Sequence, residues 1–223
     1  MYVLGCGFRS LLPRADVQRI VLYDSFLSSV LVGRTVATIA ELCFVAQWAL
    51  LLNELARTRD STFGVRLSYA IVPVIAVAEV CSWYAVLSTN YLGNALEQSI
   101  WTLTAFLVML ALLPGLLRAR GTQRLFLAAV VVLCMGFVAF MTTVDVPMYM
   151  ARWVEDEQQG RSYLSLAEGL ADVTQRWTVT HSWLAWREEI AWMSLYFSIA
   201  VWMSIAVAHA PQPVPLRTRQ RLA

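Results

Sequence analysis

Apolar residues in this chain gather into long unbroken runs instead of recurring once or twice per helical turn. Five runs stand out, at 31–55, 67–88, 99–117, 125–144 and 190–208. A hydrocarbon core about 30 Å thick takes roughly 20 mainly apolar residues of α-helix, so each run predicts one transmembrane helix. Between the fourth and fifth runs lies a segment of about 45 residues, too long for a connector without structure of its own. It contains Ser165-Leu-Ala-Glu168, the pattern in which serine and glutamate side chains each satisfy the other's backbone donor at a helix start. Leu166, Leu170, Val173 and Trp177 then recur at helical spacing. An amphipathic helix lying in the membrane interface is predicted over about 163–177. A second, shorter amphipathic piece with Val17, Ile20 and Val21 is expected over 15–26. Trp177, Trp183 and Trp186 suit an interfacial aromatic belt. The fold class is all-α: an integral membrane bundle of five transmembrane helices plus an interfacial amphipathic helix. It forms one multi-pass membrane domain over 1–223, without internal repeats.

Composition supports this reading and removes several others. Apolar residues make up 59% of the chain and charged residues 14%, against roughly 45–50% and about 25% in soluble domains. A net charge of +2 and four cysteines leave no case for disorder, a nucleic-acid-binding surface or a disulfide scaffold. Cys43, Cys81 and Cys134 fall in separate runs, with no Cys-x-x-Cys pair. All 17 basic residues are arginine, which excludes a retinal or pyridoxal phosphate (PLP) Schiff base and a lysine-bearing phosphate loop. His181 and His209 flank the fifth run, about 40 Å apart along a helix, so bis-histidine haem ligation is excluded. Neither a Gly-x-Ser-x-Gly elbow nor a His-Glu-x-x-His motif is present. No residues are assigned to a metal, and the cofactor is unknown.

Arginine placement sets an expected orientation. Arg57, Arg59 and Arg66 follow the first run, Arg118, Arg120 and Arg124 the third, and Arg217, Arg219 and Arg221 lie in the tail. The segment after the second run, 89–98, has no basic residue, and the long segment after the fourth is net acidic. The positive-inside bias then puts the C-terminus in the cytoplasm, with a bacterial inner membrane as the expected location.

Ionisable side chains at membrane depth cost several kcal/mol unless paired or neutralised, so each requires a reason. Glu41 and Glu79 lie well inside the first and second runs. Helical spacing sets Arg34 and Thr38 on the face of Glu41, and Ser82 and Trp83 on that of Glu79. Asn90, Asn94 and Glu97 join the second face if the helix runs on past Gly93. Asp145, Tyr149 and Arg152 share a stripe at the end of the fourth run, as do Glu189, Trp192 and Tyr196 at the start of the fifth. Asp145-Val-Pro147 also reads as a helix start, with Asp145 as N-cap. The expectation is a carboxylate- and aromatic-lined cleft that opens outward.

Three functions fit such a cleft. In an enzyme acting on a lipid or other amphipathic substrate, Glu79 is the general acid or base and Glu41 its partner. Arg34, Arg152 or Arg187 would then hold an anionic head group. Trp83, Asn90, Asn94, Glu97, Asp145, Glu189, Trp192 and Tyr196 would complete the substrate site. In a non-catalytic subunit, the buried acids dock another membrane chain. In a small transporter, they carry protons or a cation. The expected partners are membrane lipids and either a membrane-protein partner or a second copy.

Overall fold

A computed structural model describes residues 1–210, with only the backbone described at 188, 190–193, 195 and 196. The side chains of two candidate site residues, Trp192 and Tyr196, therefore lie outside what is described, as does the whole arginine-rich tail.

Local capping explains where the long helices begin. Helix α1 spans Tyr2–Leu11. Helix α2, Val30–Arg57, starts where the Ser29 hydroxyl accepts from the Val32 amide at 3.4 Å. Helix α3, Thr62–Ser88, starts at Ser61, which accepts from Gly64 at 3.2 Å. It ends on Thr89, a residue in the left-handed region with φ 60°. The next side chain, Asn90, accepts from the Leu92 amide at 2.9 Å and opens helix α4, Tyr91–Arg118. The connector expected over 89–98 thus shrinks to two residues, and Asn94 and Glu97 move into a helix. Gly93 does not break α4. It lets α4 lie against α3, where a Cβ at this position would stand 2.6 Å from the Cys81 carbonyl oxygen.

The fourth apolar run extends well past its expected end. Helix α5, Gly121–Phe140, continues through a π turn, Met141–Asp145, into helix α6, Val146–Gln158. Asp145 is therefore inside a continuous helix, with φ −74° and ψ −54° and no capping bond, and is not an N-cap. Pro147 supplies no amide, yet the turn before it widens to keep the chain helical. There the Thr142 and Thr143 hydroxyls donate to the carbonyls of Val138 and Ala139, each at 2.7 Å.

The segment 15–26 is not an amphipathic helix. It supplies strands β1, Arg14–Ala15, and β2, Ile20–Val21, which pair antiparallel. Strand β3, Thr178–Val179, joins β2 in parallel. Arg19 holds this cap together. Its backbone is left-handed at φ 58°, and its guanidinium donates to Asp172 at 2.6 Å, to the Val86 carbonyl at 2.7 Å and to the Asp16 carbonyl.

Helix α7, Leu166–Gln175, carries the reciprocal Ser165–Glu168 cap. It lies across the end of α3, with Gly169 against the Leu87 carbonyl and Val173 packed with Val30 and Val86. Leu166 and Leu170, from the same apolar stripe, remain exposed. Helix α8, Trp183–Ala208, follows.

Four helices, Val30–Arg57, Thr62–Ser88, Tyr91–Arg118 and Gly121–Gln158, are long and apolar enough to cross a membrane, and α8 contributes a shorter apolar stretch, Phe197–Ala208. Leu50, Tyr69, Val80, Leu117 and Val132 point outward from the long helices, a surface that only lipid tolerates. The chain is an all-α, multi-pass integral membrane protein.

Two outcomes follow. Gly93→Ala forces α3 and α4 apart and is expected to cost about 1–3 kcal/mol, read as a lower thermal midpoint in detergent. The Ser165 hydroxyl and amide hold the exposed Glu168 carboxyl below its ordinary value. A depressed carboxyl stabilises the fold above its unfolded value of about 4.3, and that contribution is lost as pH falls through the folded value. Amide-exchange protection of α7, corrected for intrinsic rates, is expected to fall on acidification below about pH 4. Ser165→Ala is expected to remove that dependence.

Candidate functional site

Arg34 lies one turn inside α2, and its side chain runs down between α2, α3 and α4. One guanidinium nitrogen, Nη2, makes three ionic contacts: 2.7 Å to Glu79 Oε2, 3.3 Å to Glu41 Oε2 and 3.3 Å to Glu97 Oε1. The Thr38 hydroxyl also donates to Glu79 Oε2, at 2.6 Å, and in turn accepts from the Trp83 indole at 3.1 Å. Glu79 sits nine residues before the end of α3, which places it about 14 Å below the cap.

Three carboxyl groups thus surround one guanidinium, with ligand oxygens all within 4.8 Å of one another. Glu79 and Glu97 are 3% and 4% exposed and Arg34 is 7% exposed, so little water screens them. With every carboxyl ionised the cluster carries two excess negative charges. Isolated charges in so dry a place are prohibitively costly. Arg9 and Arg14, which share the single acid Asp16, offset part of the excess beside Glu41; protons or a cation would balance the remainder, and three clustered carboxyl oxygens form a hard-cation ligand set. Glu79 Oε2 receives both short hydrogen bonds, from Arg34 and from Thr38. Its other oxygen, Oε1, and Arg34 Nε are buried without a partner among the described residues.

Glu41 is the open member of the cluster. Its side chain is 26% exposed and borders a cavity of about 30 Å³ shared with Tyr2, Cys6, Arg9, Arg14 and Phe197. That space admits a water or a bare ion. The wall opposite Glu41 is basic. Arg14 is completely buried against Gly33 of α2, and its two terminal nitrogens find no partner among the described residues. Arg14 Nε pairs with Asp16 at 2.9 Å. Burial pushes the Asp16 carboxyl up, and the Arg14, Arg9 and Arg34 charges more than offset it, leaving Asp16 below its ordinary value.

The other sequence candidates occupy different positions. Trp83 reaches the cluster through Thr38. Asn94 is buried one turn before Glu97, whereas Asn90 is spent on capping α4. Arg152 lies over the rings of Tyr91 and Tyr149, at 5.6 and 6.0 Å from their centroids. Asp145 is buried on the π turn, and its Oδ2 has no partner among the described residues. Asp145 and Arg152 thus lie on the π turn and α6, and Glu189 of α8 is close enough for its charge to act on Asp145 and Tyr149. Sequence spacing linked Arg34 to Glu41 but left Glu97 near the surface. The cue that brings it in is Asn90, an N-cap residue that lengthens α4 by about two turns.

No family model, curated protein or solved structure matches the chain. Site geometry is thus the ground for a functional reading.

The four groups respond differently to substitution. Arg34→Gln leaves three acids without their cation and is expected to cost about 3–5 kcal/mol. Glu41→Gln and Glu97→Gln each remove an excess acid while keeping shape, and are expected to hold or raise the thermal midpoint. Unfolding in a single detergent checks the order. A Glu41→Gln loss as large as that of Arg34→Gln would mean that Glu41 is an ionised, paired member of the cluster and not an excess acid.

Proposed function

We propose that the Arg34–Glu41–Glu79–Glu97 cluster is an exchange site for protons or a small cation, and that the protein is a small proton- or cation-coupled membrane transporter. The observation that carries this reading is the charge imbalance: three carboxyls against one guanidinium, packed at membrane depth. A purely structural ion pair needs one acid. Two further acids are tolerated only with protons or a cation beside them.

In this reading Arg34 is a built-in counter-ion. A cation or proton arriving at Glu41 from the 30 Å³ cavity competes with the guanidinium for the carboxyl oxygens. Arg34 then shifts its weight toward Glu79, the acid that it holds most closely. The same cavity is too small for a lipid head group, which favours proton or cation exchange over catalysis on an amphiphile. A continuous path across the bilayer asks for more helices than this chain supplies, and a homo-oligomer would provide them. The arginine distribution supports an orientation with the tail cytoplasmic and the cluster in the outer half of the bilayer, in what would be a bacterial inner membrane.

Infrared difference spectroscopy on the full chain in nanodiscs tests the proposal, with pH, sodium, calcium and manganese varied in turn. Wild type is expected to show a protonated-carboxyl band that responds to pH or to one of these cations. Glu41→Gln and Glu97→Gln are each expected to remove part of that band, and Glu41→Gln to slow proton or cation uptake into proteoliposomes at least tenfold. A carboxyl spectrum indifferent to pH and cations, unchanged in both variants, would mark the cluster as a fixed brace and overturn the reading.

A further inference from the structure

The opposite end of the bundle holds a second unbalanced set of charges. Helices α2 and α4 both stop there, and between their last turns lies a cavity of about 220 Å³. Its floor is apolar, from Leu52, Leu55 and Leu112, and its mouth carries Arg59, Arg118 and the α3 N-cap Ser61. Among the described residues no carboxylate lines it.

Arg59 is half-buried and has no hydrogen bond or ion pair among the described residues. By contrast, nearby Arg57 is held by Asn53 at 2.7 Å and by the Tyr69 hydroxyl at 2.7 Å. Burial and the Arg118 charge both disfavour the protonated form of Arg59, and no acid offsets them. The sequence also makes room for this cation. A Cβ on Gly115 would stand 1.4 Å from an Arg59 terminal nitrogen, so glycine leaves the space in which the guanidinium rests against α4, and a larger side chain would move it. Two guanidiniums without a counter-ion among the described residues, over an apolar floor at the depth where lipid head groups lie, form half of a binding site.

We infer that this cavity binds a phosphate anion, gripped by Arg59 and Arg118, with the phosphodiester of an anionic phospholipid and free phosphate as its two sources. Guanidinium forks match phosphate oxygens two at a time. The volume exceeds what a bare ion needs, and the leucine floor suits the glycerol and first methylenes of a lipid. The site is independent of the carboxylate cluster and stands whether or not that cluster exchanges cations.

The test uses the full chain in a zwitterionic detergent, titrated separately with phosphatidylglycerol, inorganic phosphate and phosphatidylcholine. Binding is read by native mass spectrometry and by the thermal midpoint. Wild type is expected to bind phosphatidylglycerol and not phosphatidylcholine. Each arginine contributes about fivefold to affinity, so Arg59→Gln/Arg118→Gln is expected to weaken binding at least tenfold, and Gly115→Leu to weaken it by displacing Arg59. Inorganic phosphate binding with the same losses would assign the site to the free anion. Should the double variant fail to fold, Arg118→Gln alone, at an exposed residue, must still weaken binding about fivefold. Absence of binding by wild type, or equal binding by wild type and Arg118→Gln, would overturn the inference.

Discussion

A guanidinium within a bilayer is tolerated only with its counter-charge at hand, and in this bundle Arg34 meets that condition through residues from three helices. Glu41 comes from its own helix, Glu79 from α3 and Glu97 from α4. The contacts tie α2, α3 and α4 at a single point below the cap. They also oversupply negative charge. Apolar packing cannot specify a site of this kind, since lipid is as apolar as leucine. A buried ionic contact discriminates better, because a shifted register leaves a charge unpaired.

The two ends of the bundle are built differently around this point. At one end, three short strands and α7 form a cap with buried ion pairs beside its valine contacts. Arg19 and Asp172 join segments far apart in sequence, and Arg14 and Asp16 brace the hairpin locally. At the other end the helices stop in arginines with few acids nearby, and a 220 Å³ space stays open between them. A cap of paired charges at one end and a bare cationic rim at the other give the molecule a polarity along its axis, which the short basic connectors announce in the sequence.

Long-period features were legible in the sequence, and local geometry was not. Each apolar run marks a helix because hydrocarbon thickness imposes a length that chance rarely reaches. The Ser165–Glu168 cap was legible because both partners lie within one turn. The hairpin at 14–21 was hidden because it depends on Arg19 adopting a left-handed backbone and on a strand near residue 178. Asp145 misled because the same residues that start a helix also fit a π turn, and Thr142 and Thr143 decide between them by bonding backward. Within the site, spacing linked Arg34 with Glu41, whereas the inclusion of Glu97 rested on reading Asn90 as a cap.

The cap's parallel strand pair, Ile20–Val21 with Thr178–Val179, has a consequence for biogenesis. Chains emerge from the ribosome amino end first, so β2 must wait for more than 150 residues of nascent chain before its partner exists. By then all four members of the charged cluster, the last of them Glu97, have long been made. Arg34 enters the bilayer with Glu41 as its travelling companion and acquires Glu79 and Glu97 as the following helices insert. Every member of the ionic knot is therefore synthesised before the cap has the strand it needs to close.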